Sequence, residues 1–141
     1  KKMEFLKNNP KWIRQPKQVQ ISEDKVVILT ERGTDLWART YYGFQNDNAP
    51  VFQVETTDKY FSFIVKTEFE STCRFDQCGV AMYLNSDNWF KASIEYENEK
   101  IQRLGSVVTG QQQTYPLILK VCGIVFHEGT VTTVLNAVRM A

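Results

Sequence analysis

Charged, amide and indole side chains alternate along short segments of this chain. In an extended strand, side chains two positions apart project from the same face, so each segment would present its polar groups on one surface. Indole rings stack on the apolar face of a sugar, and charged and amide groups hydrogen-bond its hydroxyls. We therefore predict a ligand-binding groove for a carbohydrate or similar polyol. Its predicted residues are Asp35, Trp37, Arg39, Gln77, Trp89, Lys91 and Glu95.

The same residues also have a purely structural interpretation. Lys91 with Glu95, and Asp35 with Arg39, are spaced as ordinary ion pairs on one strand face, and the two indoles would then belong to the core. The even-numbered side chains from Phe90 to Ile94 are apolar, which predicts that this reverse side faces a hydrophobic core. The groove and the structural interpretation both remain open from the sequence.

A weaker alternative is a glycoside hydrolase, because Glu95, Glu97 and Glu99 are spaced by two as in the acidic run of some glucanases. Retaining hydrolysis needs two carboxyl groups ~5–5.5 Å apart. The segment from Glu97 to Lys100 is typical of a hairpin turn, which would leave Glu97 and Glu99 in solvent. His127, the sole histidine, is predicted in a surface turn. The pattern favours a binding module over an enzyme, and we assign no catalytic residue.

Metal and cofactor sites are not predicted. Calcium could be held by the carboxylate and amides of Asn46–Asn48, but such runs are common turn formers, and we assign no metal there. One histidine and three scattered cysteines do not make a zinc set. Cys73, Cys78 and Cys122 are odd in number and unmatched in spacing. Free thiols are the simplest account, so we expect a cytoplasmic protein.

The bulk composition is that of one folded domain. The chain has 141 residues, of which 43% are hydrophobic and 13% aromatic, and its formal net charge is +1. No apolar run approaches the ~20 residues of a membrane-spanning helix, and no basic stripe supports nucleic-acid binding. We therefore expect neither a membrane nor a nucleic-acid partner. Residues 1–141 are predicted to form one β-sandwich domain, in which the basic segment 1–15 need not belong to the sandwich.

Strand-like alternation recurs along the chain, with turn-forming residues between the runs. The clearest strands are predicted at 76–83, 89–96 and 101–109, a long one at 60–70 and another at 115–126, with 43–50 as a loop. This spacing with few helices predicts an all-β sandwich or barrel. The predicted core residues are Val26, Ile28, Leu36, Phe61, Phe63, Val80, Met82, Phe90, Ile94, Leu117, Leu119 and Val121.

Several of these segments occur in the order found in a known family. The segments are Thr34–Trp37 with Thr40–Gly43, Asp76–Gly79, Trp89–Lys91 with Ile94–Glu95, and Ser106–Thr109. Together they resemble domain-of-unknown-function family 1349, the group that includes the fungal regulation-of-enolase proteins, over about residues 10–109. The resemblance implies a concanavalin A-like jelly roll, a two-sheet antiparallel sandwich with one concave face.

The resemblance implies no catalytic residues, and it adds a second functional hypothesis. A protein-interaction or regulatory domain acting on a metabolic enzyme would use a protein partner in place of a sugar. After Thr109 the chain departs from the family pattern, since Gly110–Gln113, Lys120 and His127–Gly129 stand where other motifs are expected. An open sheet edge completed by another chain is one consequence, so a homo-oligomer is also expected.

Overall fold

The computed structural model describes residues 4–39, 43–57, 60–110, 121–127 and 130–134. Within these ranges the chain forms one short helix and twelve strands, so the predicted all-β class is confirmed. No helix in the described ranges is long and apolar enough to cross a membrane. The elements are α1 (Glu4–Lys7), β1 (Lys11–Ile13), β2 (Gln18–Ile21), β3 (Val26–Leu29), β4 (Leu36–Ala38), β5 (Gln45–Asp47), β6 (Val51–Glu55), β7 (Lys66–Glu70), β8 (Gln77–Asn85), β9 (Asn88–Asn98), β10 (Ile101–Thr109), β11 (Val121–His127) and β12 (Thr130–Val134).

The strands form two large antiparallel sheets and one small hairpin. The six-stranded sheet has the order β1-β6-β11-β8-β9-β10, and the four-stranded sheet has the order β2-β3-β12-β7. Strands β4 and β5 pair only with each other among the described strands. This hairpin was not predicted, because residues 43–50 were assigned to a loop. Its Asn46 and Asp47 form ladder pairs with Trp37 and Leu36 in place of a turn.

The core between the two large sheets includes the beginning of the chain. Phe5 of α1 is fully buried, and its ring meets that of Phe52 edge to face at 5.2 Å. Trp12 of β1 stacks on the Phe52 ring, with ring centroids 4.4 Å apart. The segment 1–15 is therefore not peripheral where it is described. The buried core residues here are Phe5, Val26, Ile28, Phe52, Val54 and Cys78.

The predicted core is partly correct. Val26, Ile28 and Leu36 are fully buried, as predicted. Phe61, Phe63, Val80, Met82 and Phe90 are only half-buried, and Ile94 is 37% exposed, so Ile94 was wrongly assigned to the core. The buried residues between the sheets come from β3, β6 and β8 with α1 and include none from β9, which explains the exposure of Ile94. Leu117, Leu119 and the side chain of Val121 lie outside the described residues.

The strand predictions differ from the structure at three places. Phe61 and Phe63 precede β7, which begins only at Lys66, so the first half of the strand predicted at 60–70 has no regular secondary structure. Residues 115–120 of the strand predicted at 115–126 are outside the described ranges, and β11 covers Val121–His127. His127 accordingly ends a strand and pairs with Gln77, whereas a turn was predicted there.

Strands β8 and β9 approach very closely at Gly79. A Cβ atom at this position would overlap the carbonyl oxygen of Ala92 and lie 2.5 Å from the Cα atom of Ser93. Only glycine fits between these backbones. The Asp76–Gly79 motif thus ends in a residue that the β8–β9 pairing requires.

Candidate functional site

The predicted side-chain parity of β8 and β9 is correct. Residues opposite each other in an antiparallel pair share a face. The pairs on one face are Gln77 with Glu95, Gly79 with Ser93, Ala81 with Lys91 and Tyr83 with Trp89. Trp89, Lys91, Ser93 and Glu95 therefore project from the same side of the sheet. The β4–β5 hairpin covers this side, so most of the predicted groove is buried.

Four polar side chains meet beneath the hairpin, and we name Asp35, Gln77, Lys91 and Ser93 the polar cluster. The Lys91 ammonium donates to Asp35 Oδ1 at 2.9 Å and to Gln77 Oε1 at 3.0 Å. The Ser93 hydroxyl donates to the same Gln77 oxygen at 2.8 Å. The Lys91 side chain is only 2% exposed. The side chains of the polar cluster therefore hydrogen-bond to one another and do not face a ligand in solvent.

A buried ion pair of this kind specifies position more than it adds stability. Removing two charges from water costs several kcal/mol per ion, and the attraction between the two charges is of about the same size. The net contribution of the pair to stability is therefore small. The pair forms only if Asp35, at the entry to β4, is brought to Lys91 in the middle of β9. The Trp37 ring then lies 5.6 Å from the ammonium, within cation–π range. The pair therefore fixes where the hairpin sits on the sheet.

A second group of contacts holds the other strand of the hairpin. Arg14 pairs with Asp47 at 3.2 Å, and its Nε donates to the Ala49 carbonyl at 2.7 Å. The Tyr83 hydroxyl donates to the Asp47 carboxylate at 2.8 Å, and burial raises the pKa of Tyr83. Asn48 accepts from the Asp35 amide at 2.7 Å. These Asx side chains, considered above as calcium ligands, are engaged within the chain.

Asp76 organises the turn that leads into β8. The Asp76 residue is fully buried, and its Oδ2 accepts from the backbone amides of Thr72 at 2.7 Å and Cys73 at 2.9 Å. Its backbone carbonyl accepts from the Tyr96 amide at 2.8 Å. These bonds set the start of β8, and hence the place of Gln77 opposite Glu95. The motif Asp76–Gly79 thus positions one member of the polar cluster.

Trp89 does not provide a stacking surface, and this prediction is wrong. The residue is 4% exposed and belongs to a second apolar cluster on the hairpin side of the sheet. Its indole Nε1 donates to the carbonyl of Ser86 at 3.2 Å. Leu36 of β4 is buried in the same cluster, so the hairpin contributes to the burial of the indole. The buried members of this cluster are Leu36, Ala49, Val51, Ala81, Tyr83 and Trp89.

Arg39 follows β4 and lies outside the polar cluster. Its φ of 56° is left-handed, and its amide donates to the Phe44 carbonyl at 2.8 Å. The residue is exposed, and its side chain takes no part in the bonds that hold Lys91. The ion pair considered between Asp35 and Arg39 is therefore incorrect, because Asp35 pairs with Lys91. Residues 40–42 of the neighbouring motif lie outside the described ranges.

The accessible part of this region lies where the hairpin meets β9 and β10, and we name Trp37, Phe44, Glu95 and Arg103 the rim. Trp37 is half-buried and stacks on Phe44, with ring centroids 6.1 Å apart. Phe44 is 44% exposed. Glu95 is half-buried, and Arg103 lies opposite it on β10. The rim therefore offers two aromatic rings and one charge of each sign.

A β-bulge brings Arg103 to the rim. Ile101 pairs with Asn98 but Gln102 pairs with Tyr96, so Glu97 is the extra residue. Without this shift Arg103 would oppose Tyr96 and project from the other face. Glu97, predicted in a solvent-exposed turn, instead pairs with Arg74 at 2.7 Å and Arg103 at 3.3 Å.

The protein environment shifts the pKa of Glu95, one of the two charged residues of the rim. Burial raises the pKa of Glu95, the Lys91 charge opposes this, and the Asp35 and Glu97 charges add to it. The folded protein thus holds the Glu95 proton to a higher pH than the unfolded chain. The stabilisation linked to this proton is complete below the unfolded pKa and is lost as pH rises through the folded pKa.

We therefore expect Glu95→Gln to be more stable than the parent at pH 7 and nearly equal to it at pH 3.5, because the amide mimics the protonated acid. Thermal melts between pH 3.5 and 7.5 measure the difference. Glu99→Gln, in the exposed turn, is the matched control and should follow the parent at all pH values. A Glu95→Gln curve parallel to that of the parent would contradict the raised pKa.

In the described residues no group of three or more His, Cys, Asp or Glu side chains is arranged to hold a metal ion. Among the described residues, Cys73 and Cys78 form no disulfide. The fold and site thus define a two-sheet β-sandwich with an ion pair buried under a hairpin and an aromatic, charged rim beside it. Residues 12–114 match the family model described as "Protein of unknown function (DUF1349)", and the chain belongs to this family.

Two relatives from Saccharomyces cerevisiae are similar to the chain. "Regulation of enolase protein 1" (strain ATCC 204508 / S288c) is 33% identical over 99 residues, which are 70% of this chain and 48% of the relative. The chain thus spans about half the length of this curated relative. A solved structure titled "The crystal structure of a functionally unknown protein from Saccharomyces cerevisiae" superposes with a TM-score of 0.70 at 20% identity, covering 94% of this chain and 96% of the other. This second likeness concerns the fold alone.

Proposed function

We propose that this chain is a non-enzymatic regulatory domain that binds a metabolic enzyme through the rim. The observation that carries the proposal is the burial of the predicted groove. Gln77 and Lys91 are 3% and 2% exposed and bond to each other, so little of the groove remains for a small ligand. Aromatic and arginine side chains at an accessible edge are typical of protein interfaces.

Enolase is the first partner to test. The name of the relative links that protein to enolase regulation. The sequence segments that resemble the family include Trp37 and Glu95 of the rim. The rim has two aromatic rings, one acidic and one basic side chain. It would complement an enzyme surface on which an apolar side chain is surrounded by charged side chains. Such mixed contacts provide register and specificity as well as affinity.

The test is direct binding of the purified chain to enolase, together with the enolase reaction rate with and without the chain. We expect Trp37→Ala combined with Phe44→Ala to weaken binding at least about tenfold, or about 1.4 kcal/mol, because interface energy concentrates in such rings. Tyr60→Ala, which removes a 74% exposed aromatic side chain outside the rim, should leave binding unchanged. Equal loss in both variants, or no binding by the parent, would reject this proposal.

A polyol ligand is the second candidate, and the Trp37–Glu95 side of the rim is the observation that favours it. The half-buried Trp37 ring lies 5.6 Å from the Lys91 ammonium, whose charge also acts on the half-buried Glu95 carboxylate. Sugars need such a stacking surface together with an acceptor. A thermal-shift screen over sugars tests this, since ligand at 100 times its Kd adds about 2.7 kcal/mol of stability. The shift should vanish in Trp37→Ala and persist in Tyr60→Ala. A cytoplasmic location stays a prediction from the thiols.

A further inference from the structure

The edges of the two large sheets differ in how they are protected. Exposed edge strands invite pairing with another chain, and proteins prevent this with short strands, charges, prolines or bulges. Among the described strands, the edges of these two sheets are β1, β2, β7 and β10. Strand β1 has three residues and β2 has four, while β7 carries charges at Lys66, Glu68 and Glu70. Three edges therefore have evident protection.

The fourth edge, β10, has little protection. It is nine residues long and contains no proline and a single charged side chain, that of Arg103. Its bulge lies at the Ile101–Gln102 end, which leaves 103–109 in regular register with β9. No described strand pairs with its outer side. Leu104 and Val108 are 83% and 72% exposed, an unusual degree for two apolar residues on one strand face.

We propose that β10 pairs antiparallel with β10 of a second copy of this chain, about a two-fold axis at Ser106. This register places Leu104 opposite Val108 of the second copy, and the two-fold axis makes the pair occur twice. Cross-strand pairs of apolar side chains stabilise such sheets. Arg103 falls opposite Thr109, so no like charges face each other.

The neighbouring register is less favourable. An axis at Gly105 would place Leu104 opposite Ser106 and Val108 opposite Gln102, so both apolar side chains would face polar ones. It would also bring Arg103 opposite Val107. The axis at Ser106 thus joins the two six-stranded sheets into one continuous sheet and covers the exposed apolar residues of β10. This interface lies at the outer side of β10 and goes beyond the regulatory function proposed for the rim.

Analytical ultracentrifugation of the whole chain over a range of concentrations tests the dimer. Leu104→Lys should raise the dimer Kd about 100-fold, because each symmetric copy buries one new charge and each such loss exceeds tenfold. Its melting temperature should match that of the parent at concentrations where both are monomeric, since Leu104 is exposed within one chain. Leu84→Lys, at a 59% exposed leucine near the end of β8, should leave the Kd unchanged. A parent that stays monomeric up to about 100 µM, a dimer insensitive to Leu104→Lys, or equal effects of both variants overturns the proposal.

Disulfide trapping tests the register. Directly opposed residues of an antiparallel pair have Cα atoms about 4.5–5.5 Å apart, within disulfide range. In a Cys73→Ser background, which removes the exposed native thiol, Ser106→Cys should form a covalent dimer on mild oxidation. Gly105→Cys is the matched control and should crosslink at least about tenfold more slowly, because in this register it faces Val107 of the second copy. Faster trapping through Gly105→Cys, or none through either variant, rejects the Ser106 axis.

Discussion

Lys91→Met is expected to lower the free energy of unfolding by about 3–5 kcal/mol, because it removes the cation that faces the buried Asp35 carboxylate. The Asp35 side chain is 11% exposed and bonds to the Lys91 ammonium at 2.9 Å. Methionine has a similar volume, so the loss reflects charge and hydrogen bonding and creates little empty space. Urea unfolding followed by circular dichroism measures the change.

A double-mutant cycle separates the ion pair from other effects. Adding Asp35→Asn to Lys91→Met removes the buried negative charge, so it should restore at least about half of the lost stability. Lys100→Met, in the exposed turn between β9 and β10, is the control and should change stability by no more than about 0.5 kcal/mol. A Lys91→Met loss below about 1 kcal/mol would mean that the hairpin does not bury this pair.

Gly79→Ala is expected to cost about 3 kcal/mol or more, because the new methyl group would overlap the backbone of β9. The clash involves the carbonyl oxygen of Ala92 and the Cα of Ser93, which cannot rotate away as a side chain could. Relief therefore requires β8 and β9 to separate, and the same movement would disturb Gln77 and Lys91 of the polar cluster.

Gly105→Ala provides a matched control one strand away. Gly105 pairs with the same Ser93 from the β10 side, and a Cβ there meets nothing within 4 Å. We expect a change within about 0.5 kcal/mol, or slight stabilisation, since alanine loses less entropy than glycine on folding. Chemical unfolding of both variants measures the contrast. Similar losses for the two glycines would show that the clash at Gly79 is relieved by a small local shift.

The sequence predicts which side chains of β9 share a face, but it does not predict that the β4–β5 hairpin covers that face. Alternation correctly placed Trp89, Lys91 and Glu95 on one side of β9, because the period of two is a property of the backbone alone. Whether that side meets water depends on the β4–β5 hairpin. Its second strand contains Asn46 and Asp47, residues typical of turns, so the sequence predicts a loop there.

Two further site features depend on contacts between distant segments. Phe44 belongs to the rim only because it stacks on Trp37 across the hairpin. Arg103 reaches Glu95 through the bulge at Glu97, and a one-residue shift of this kind leaves no clear sequence signal. The sequence segments that resemble the family nonetheless contain residues with structural roles around the buried ion pair. Asp35 anchors the hairpin, Gly79 permits the β8–β9 approach, and Lys91 completes the buried pair.

The strand order has a consequence for how the protein is made. Strand β11 lies between β6 and β8, and β12 lies between β3 and β7, so the last two described strands occupy inner positions of both large sheets. During synthesis, β3, β6, β7 and β8 leave the ribosome before the strands that will join them. The nascent chain must keep these edges unpaired until β11 and β12 have been made, which favours slow folding and a need for chaperones.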